Sequence, residues 1–495
     1  MWKYRRRAPM PDRPSPIPPN PPDYAFKEEI QKHFEAVAYS QQRWRRRNRY
    51  YYADIEALCR FLIPAHSRVL QIGSGNGDLL ASLEPAVGLG VDFSPSMVTL
   101  AREQHPELQF LCQDAEQLDL EGQTFDYILL VGVLGHLADI QSVLEGLRPC
   151  CHRRTRVVAV FHNYLWEPLL RLGERLGERM PQPAQNWLSD TDVRNLFAIT
   201  GYTVVKQGRR MLLPRRVPLV ADWLNRYAAR LPLIEHLCLT QYLVARPDFG
   251  PQPAALPTCS VIVPARNEAG NIRAAVERLP ALGSHTELLF VEGNSQDDTW
   301  QVIGEVAREY GERLDIRVFK QKGKGKGDAV RLAFEQAKGD ILMILDADLT
   351  VPPEDLPKFY AVIASGRGEF INGSRLIYPR SREAMPWLNT LANKFFGVVF
   401  SFLLDQPLKD TLCGTKVLWR EDYEKIAAGR AYFGDFDPFG DFDLLFGAAK
   451  LNLHIVEVPI RYQPRTYGQS NIAHFREGLV LLRMCLFASQ RIKFN

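Results

Sequence analysis

The stretch Ile341-Leu342-Met343-Ile344-Leu345-Asp346-Ala347-Asp348 joins five apolar residues to two carboxylates spaced two apart. An uncharged apolar run of this length suits a strand buried on both faces, as in a parallel sheet. In extended chain, residues two apart point the same way, so Asp346 and Asp348 leave the strand on one face. That arrangement suits a hard divalent cation bridging a diphosphate. Asp-x-Asp recurs at 190/192, 435/437 and 441/443, in loop-like or aromatic surroundings. The pair at 346/348 directly follows an apolar strand, 86 residues after Ser260 opens the first strand of its half.

Upstream, Ser260-Val261-Ile262-Val263-Pro264-Ala265-Arg266-Asn267-Glu268 reads as a buried strand stopped by proline and followed by polar groups. Leu288-Leu289-Phe290-Val291-Glu292-Gly293-Asn294-Ser295 is a second strand ending in a carboxylate and a turn. Gln321-Lys322-Gly323-Lys324-Gly325-Lys326-Gly327-Asp328-Ala329 is a glycine- and lysine-rich loop opening a helix, where amides and ammonium groups can meet phosphates. No Ser or Thr follows its lysines as a Walker A loop requires.

A proline-rich stretch from Arg246 to Pro257 separates this half from an earlier one. There, Val69-Leu70-Gln71-Ile72-Gly73-Ser74-Gly75-Asn76-Gly77-Asp78 is a strand entering a glycine-rich turn, whose missing Cβ atoms let backbone approach a ligand. Asp92 ends the next strand, where an acid can accept both ribose hydroxyls of a nucleoside. Asp114 ends a third, in position to face an adenine, and Phe125–Val131 is the fourth. Strands are predicted at Arg68–Ile72, Val87–Val91, Leu108–Cys112, Tyr127–Val131 and Arg156–Phe161, then at Cys259–Val263, Glu287–Val291, Asp315–Phe319 and Ile341–Leu345. Alternation with amphipathic segments makes both halves α/β, with mainly parallel sheets.

Composition agrees: 495 residues, 46% hydrophobic and 24% charged, exclude a disordered chain, a collagenous repeat and a small disulfide scaffold. Residues 1–52 carry twelve Lys/Arg against five Asp/Glu, so the +4 net charge belongs to the amino-terminal segment. Elsewhere no large cationic field calls for nucleic acid, and no nucleic-acid partner is expected. The eight cysteines form no CxxC pair or zinc-spaced cluster and fit a reducing compartment. No apolar run approaches the roughly 18–20 residues that span a bilayer, and Met1–Tyr4 opens no signal peptide. Eight prolines within the first 22 residues predict a disordered leader over residues 1–25, with a helix near Tyr24–Tyr39. The basic run Arg43–Arg49 is either a solvated helix face or a contact for an anionic surface.

The first half, 26–246, resembles class I S-adenosylmethionine-dependent methyltransferases in its GxGxG spacing and ordered acids, although Gln71 stands where an acid is common. The resemblance implies a Rossmann-like domain holding S-adenosylmethionine with Gly73, Ser74, Gly75, Gly77, Asp92 and Asp114, and an acceptor pocket near His136 and Phe161–Trp166. Residues 258–495, beyond a linker at 247–257, resemble family 2 glycosyltransferases of the GT-A fold, and within them dolichol- and polyprenyl-phosphate sugar synthases. The motifs are Pro264–Glu268, Val291–Ser295, Asp346–Asp348, Gly373–Arg375, Asp410–Lys416 and Arg465–Asn471. By this resemblance Pro264, Arg266, Glu268 and Glu292 would hold base and ribose. Asp346 and Asp348 would hold Mg²⁺ or Mn²⁺ and, with Ala347, the diphosphate, and Lys326, Arg375, Arg465 and Asn471 would meet phosphates. Glu292 stands where aspartate is usual, and Asn471 where lysine is often found.

The function implied is inverting sugar transfer from a nucleotide sugar to a lipid-linked or glycan acceptor. A hydroxyl acceptor needs a general base, for which Asp441 or Asp443 is the candidate, whereas a lipid phosphate needs none. The apolar helices Asn393–Leu404 and Gly478–Ala488, with cationic margins, suit either interfacial attachment or core burial. The expected location is cytoplasmic, peripheral on the inner face of the membrane. Transfer to a polysaccharide or small-molecule hydroxyl, and a non-catalytic scaffold retaining cofactor folds, stay open.

Overall fold

The computed structural model describes residues 21–120, 122–250, 256–378, 387–432, 441–465, 467 and 482–494. Among them the chain builds two seven-stranded sheets, one in each half.

The first sheet contains β1 (Arg68–Ile72), β2 (Val87–Asp92), β3 (Gln109–Cys112), β4 (Phe125–Val131), β5 (Cys151–His162), β6 (Tyr202–Arg210) and β7 (Thr240–Pro247). Their order is β3-β2-β1-β4-β5-β7-β6, parallel except that β7 runs against β5 and β6. Strand order reverses between β1 and β4, so the loops after them diverge and leave a crevice at the carboxyl ends. Alternate residues serve opposite layers. Leu70, Ile72, Ile128 and Leu130 join one apolar cluster with Val143 and Phe197. Val69 and Leu129 join another with Ile55, Leu58 and Val98. A strand so placed needs apolar residues at both parities, hence the continuous runs.

The second sheet contains β8 (Cys259–Ala265), β9 (Thr286–Glu292), β10 (Asp315–Lys320), β11 (Ile341–Ile344), β12 (Phe370–Ser374), β13 (Lys416–Trp419) and β14 (Ile455–Pro459). The order is β10-β9-β8-β11-β13-β12-β14, with β13 antiparallel to both neighbours. Its reversal point lies between β8 and β11, which puts the ends of those strands, and therefore Glu268 and Asp346, on the same crevice.

The predicted strands are present, and five further strands complete the sheets. Four of those five, β6, β7, β12 and β13, carry buried polar groups such as Lys206, Gln241, Asn372 and Lys416, which interrupt the apolar runs. The amino-terminal helix begins at Pro21, inside the expected leader, because proline at a helix start lacks only an N–H that would be orphaned there. Gln41–Arg47 and Arg49–Leu62 continue it. Part of the basic run folds onto its own domain: Arg45 meets Asn76 at 3.2 Å and Asp78 at 3.4 Å, and Arg47 meets Glu178 at 2.9 Å, while Arg43, Arg46 and Arg49 are exposed.

Helix Trp387–Leu404 is mixed in exposure, with Phe396, Phe400, Leu403 and Leu404 buried and Leu391, Phe395 and Val398 exposed. Of Gly478–Ala488, residues 478–481 lie outside the described residues; within the rest, Met484, Cys485 and Ala488 are buried. No helix among the described residues is long and apolar enough to cross a membrane. The eight cysteines are free thiols.

Between the halves, Arg156 on β5 is buried against Glu369, Nη2 to Oε2 at 2.7 Å, and its Nε donates to Asn452 O at 2.8 Å. His454 N also donates to Glu369 at 2.8 Å, and Asn452 Nδ2 donates to Leu62 O at 3.0 Å. Both charges are therefore hydrogen-bonded as well as paired, the condition under which burying them is tolerable.

Candidate active sites

In the second half, the apolar strand β11 delivers Asp346 into a cage of cations. Lys326, at the start of helix Lys326–Gln336, places Nζ 2.6 Å from Asp346 Oδ1. Burial works against a charged Asp346, but Lys326, with Lys416 and Arg375 adding, outweighs it and holds the carboxyl below the ordinary aspartate range. The cage is close because Gly414 lacks a side chain: a Cβ there would collide with Asp346 Oδ2 and stand 2.5 Å from Lys326 Nζ.

Asp348 is fixed from two directions. Its Oδ1 accepts from Thr350 N at 3.1 Å and Thr350 Oγ1 at 2.9 Å, and its Oδ2 meets Arg465 Nη2 at 2.7 Å. Arg465 also reaches Glu268 Oε1 at 3.4 Å, so one guanidinium ties the end of β8 to the turn after β11. Burial lifts the Glu268 carboxyl to about 7, against the opposing pull of Asn271 and Arg465.

The loops holding Glu268 and Glu292 lock together. Asn267 N donates to Ser295 Oγ at 3.0 Å, and Gln296 N donates to Asn267 Oδ1 at 2.7 Å. Asn267 and Asn294 both adopt positive φ, 56° and 57°, a strain asparagine bears better than most residues. Buried Glu292 accepts from Ser295 N through Oε1, while its Oε2 has no hydrogen-bond partner and its nearest cation, Lys320, is 3.8 Å away. Pro264 lies half-buried near the end of β8, and Arg266 is exposed beside it.

Other predicted residues occupy more structural positions. Half-buried Arg375 packs on fully buried Asp410, Nε and Nη2 at 2.8 and 2.7 Å, so that carboxylate holds the guanidinium expected to clamp phosphate. Asp410 also accepts from Arg375 N at 2.9 Å, and Lys416 Nζ donates to Asn372 Oδ1 and Cys413 O. These bonds fix the 410–416 loop that carries Gly414. Asp443 pairs with Arg430 at 2.8 Å. Asp441 begins helix Asp441–Lys450, its side chain outside the described residues, where Asn471 also lies. Ala347 is buried between the two aspartates.

Among the described residues no group of three His, Cys, Asp or Glu side chains could hold a metal. Two aspartates are nonetheless a sufficient protein contribution for Mg²⁺ or Mn²⁺, which keeps waters and takes substrate phosphate oxygens as its other ligands. Their chemistry therefore fits the metal, which would have to displace Lys326 and Arg465 from them.

In the first half, Gly73, Gly75 and Gly77 all take positive φ, 68°, 54° and 81°. Gly75 N donates to Asp92 Oδ2 at 2.8 Å and Ser94 N to Asp92 Oδ1 at 3.0 Å, which ties the turn after β1 to the end of β2. Burial raises the Asp92 carboxyl in spite of these amides. Ser74 Oγ and Gln71 Oε1 are buried without partners, and a Cβ at Gly73 would stand 2.9 Å from Val133. A tight backbone cradle with orphaned polar atoms and a buried acid fits the nucleoside of S-adenosylmethionine. Asp114 is paired with Lys27 of the amino-terminal helix at 2.7 Å and caps Ala115–Gln117.

Near the ends of β4 and β5, Tyr51 Oη lies 2.9 Å from His162 Nε2, and the ring of Phe34 meets His136 edge-on at 5.3 Å. Burial, reinforced by Arg179, depresses His136 to about 4 and His162 to about 3, so both are neutral at neutral pH. Gly414, Lys27 and Tyr51 were not singled out from the sequence. The Asp410–Lys416 motif contained Gly414, but the other two contacts have no local signal.

Residues 260–427 match the family model for glycosyl transferase family 2, and residues 69–153 match that for a methyltransferase domain. The low-salt glycan biosynthesis hexosyltransferase Agl6 of Haloferax volcanii is 30% identical over 241 residues, 46% of this chain and 53% of that protein. The dolichol-phosphate mannosyltransferase of Pyrococcus furiosus is 30% identical over 220 residues, 43% of this chain and 58% of that protein. The chain thus spans little more than half the length of these curated relatives. A SAM-dependent methyltransferase structure from Thermotoga maritima, 16% identical, is covered over 99% of its length and 44% of this chain, with a TM-score of 0.36. The first half thus carries a match to a methyltransferase domain and the second a match to glycosyl transferase family 2, each within an α/β unit built on one seven-stranded sheet.

Proposed function

We propose that the second half transfers a hexose from a nucleotide sugar to a polyprenyl phosphate or another lipid-linked acceptor, with inversion at the anomeric carbon. The observation carrying this reading is the chain of contacts Lys326–Asp346 and Glu268–Arg465–Asp348 at the carboxyl ends of β8 and β11. Glu292, whose buried Oε2 accepts no hydrogen bond, supports base or ribose recognition. Lys326 and Arg465 would turn from the aspartates to the donor's diphosphate. Asp346 and Asp348 would then hold Mg²⁺ or Mn²⁺, which supplies neutralisation of charge on the leaving diphosphate. The Asp443–Arg430 pair favours an acceptor that is already anionic, because the carboxylate that would take a hydroxyl proton is engaged by a guanidinium at 2.8 Å.

The first half would bind S-adenosylmethionine on Gly73, Ser74, Gly75, Gly77 and Asp92 and methylate the same glycan or its carrier. Asp114, already engaged by Lys27, would meet the adenine only by sharing that lysine. The location proposed is the cytoplasmic side, peripheral on the membrane.

Purified protein should be incubated with individual nucleotide sugars, divalent cation and polyprenyl phosphate, and the lipids analysed by mass spectrometry. A hexose-bearing polyprenyl phosphate with one donor is the expected product. Its absence with every donor, alongside transfer to a soluble polysaccharide or hydroxyl, would replace the lipid acceptor.

A further inference from the structure

Helix Glu167–Arg175 is amphipathic with its apolar side turned outward. Leu165, Leu169, Leu172 and Leu176, spaced four, three and four, form one stripe along it and its flanks, and all are exposed, Leu169 at 56% and Leu176 at 67%. Glu174 faces inward instead, where it pairs with Arg179. A helix folded only for its own domain does the opposite, burying leucines and solvating carboxylates.

A second apolar segment lies alongside. Trp166 Nε1 donates to Leu237 O at 2.8 Å, and Asn163 Nδ2 donates to His236 O at 2.9 Å. In that segment Leu219, Trp223 and Leu233 are 85%, 60% and 87% exposed. The face continues onto the other half of the chain, because the Tyr227 ring lies 5.7 Å from that of Phe494 and Arg226 Nε donates to Phe494 O at 3.0 Å. Leu482 and Leu486 are exposed just before it. A contiguous apolar surface of this kind marks an interaction site.

Charge selects the occupant. Segments 164–176, 215–237 and 482–494 present seven exposed arginines against one exposed carboxylate, Asp222, while Arg230 and Lys493 are buried. A second copy would set like charges against each other, since a two-fold interface repeats one patch on both sides. We propose that this face rests on an anionic bilayer surface, with the leucine stripe and Trp223 in the headgroup–acyl boundary and Arg216 and Arg483 toward lipid phosphates. This deepens the lipid-acceptor reading and rests on it for its purpose: an enzyme held flat on the bilayer meets a lipid-linked phosphate without crossing it. The surface is mostly on the methyltransferase half, so that domain would serve as an anchor for the glycosyl transferase half.

The full chain should be sedimented with vesicles of phosphatidylcholine and with vesicles of equal phosphatidylcholine and phosphatidylglycerol, at low and high salt. Binding to the anionic vesicles, weakened by salt, is expected. Leu169→Glu with Leu172→Glu, or Trp223→Glu alone, should lower that binding by about tenfold or more. Arg216→Glu with Arg483→Glu should lower it on anionic vesicles only. Thermal melting and sugar transfer to a short, water-soluble polyprenyl phosphate should stay unchanged in all of them.

Wild-type protein that stays in the supernatant with every vesicle, or variants that bind like wild type, would overturn the proposal. So would a dimer in light scattering that the leucine substitutions abolish, which would give the face to a second copy. Vesicle binding without transfer to any lipid phosphate would fault the functional reading and leave the surface standing.

Discussion

Lys326 Nζ stands 2.6 Å from Asp346 Oδ1, so a lysine from the loop after β10 holds the first carboxylate of the Asp346–Asp348 pair. A divalent cation must displace that lysine. Lys326→Gln should therefore tighten Mn²⁺ binding in the absence of donor, by about tenfold, while lowering turnover because the displaced ammonium no longer meets the diphosphate. Titration followed by electron paramagnetic resonance reads the first effect. Asp346→Asn with Asp348→Asn should cost at least about a hundredfold in metal-dependent turnover. Unchanged turnover in that double variant would remove the metal from these residues.

Gly414→Ala puts a methyl where Asp346 Oδ2 lies. Either the carboxylate or the 410–416 loop must move, and a displacement near 1 Å can cost about a hundredfold in rate. The expected result is a turnover loss of that order with a stability loss of about 1–3 kcal/mol, the usual cost of overpacking. Calorimetric melting and steady-state assay measure the two separately.

Glu268 makes stability depend on pH in a definite direction. Its carboxyl rises from the ordinary 4.5 to about 7 in the folded chain. Between those values the folded state binds more protons than the unfolded one, so this group's contribution falls as pH rises. Below about 4.5 both states are protonated and the penalty is absent; above about 7 it is complete. Melting temperatures of wild type and Glu268→Gln should therefore diverge from pH 4.5 to 7, with the glutamine variant gaining. Parallel curves would contradict the raised value.

Asp92 anchors the turn after β1 through Gly75 N and its own turn through Ser94 N. Asp92→Ala removes both acceptors and any contact to a ribose. S-adenosylmethionine affinity should fall about 10- to 100-fold, the range for lost hydrogen bonds to a charged group. Isothermal titration calorimetry of the two proteins provides the comparison.

Arg156 and Glu369 join the two halves at 2.7 Å in a buried setting. Removing only the arginine strands a carboxylate, with Arg246 at 3.9 Å a poor substitute. Arg156→Met should destabilise the chain by about 3–5 kcal/mol, and adding Glu369→Gln should restore much of that. Denaturant unfolding of the single and double variants would show whether the loss belongs to the pair.

The sequence exposed what depends on neighbours along the chain. Apolar runs marked β1, β8 and β11, because strands covered on both faces need apolar residues at both parities. Glycines at 73, 75 and 77 announced their turn, and all three take positive φ. By contrast β6, β7, β12 and β13 carry buried Lys206, Gln241, Asn372 and Lys416, whose polarity hid them. The outward side of Glu167–Arg175 was equally hidden, because periodicity reveals that a helix has two faces and not which one meets the protein.

By itself, then, the sequence determined two α/β units, their glycine-rich turns and the pair of aspartates at a strand exit. Tertiary structure alone decided that Arg465 bridges Glu268 and Asp348, across 197 residues of chain in the first case. It also decided that Lys326 holds Asp346, and that Arg375 turns to Asp410. The reason is physical: strand and turn preferences are set within a few residues, whereas these ion pairs depend on the order in which strands assemble, which brings residues remote in sequence together at the carboxyl ends of neighbouring strands.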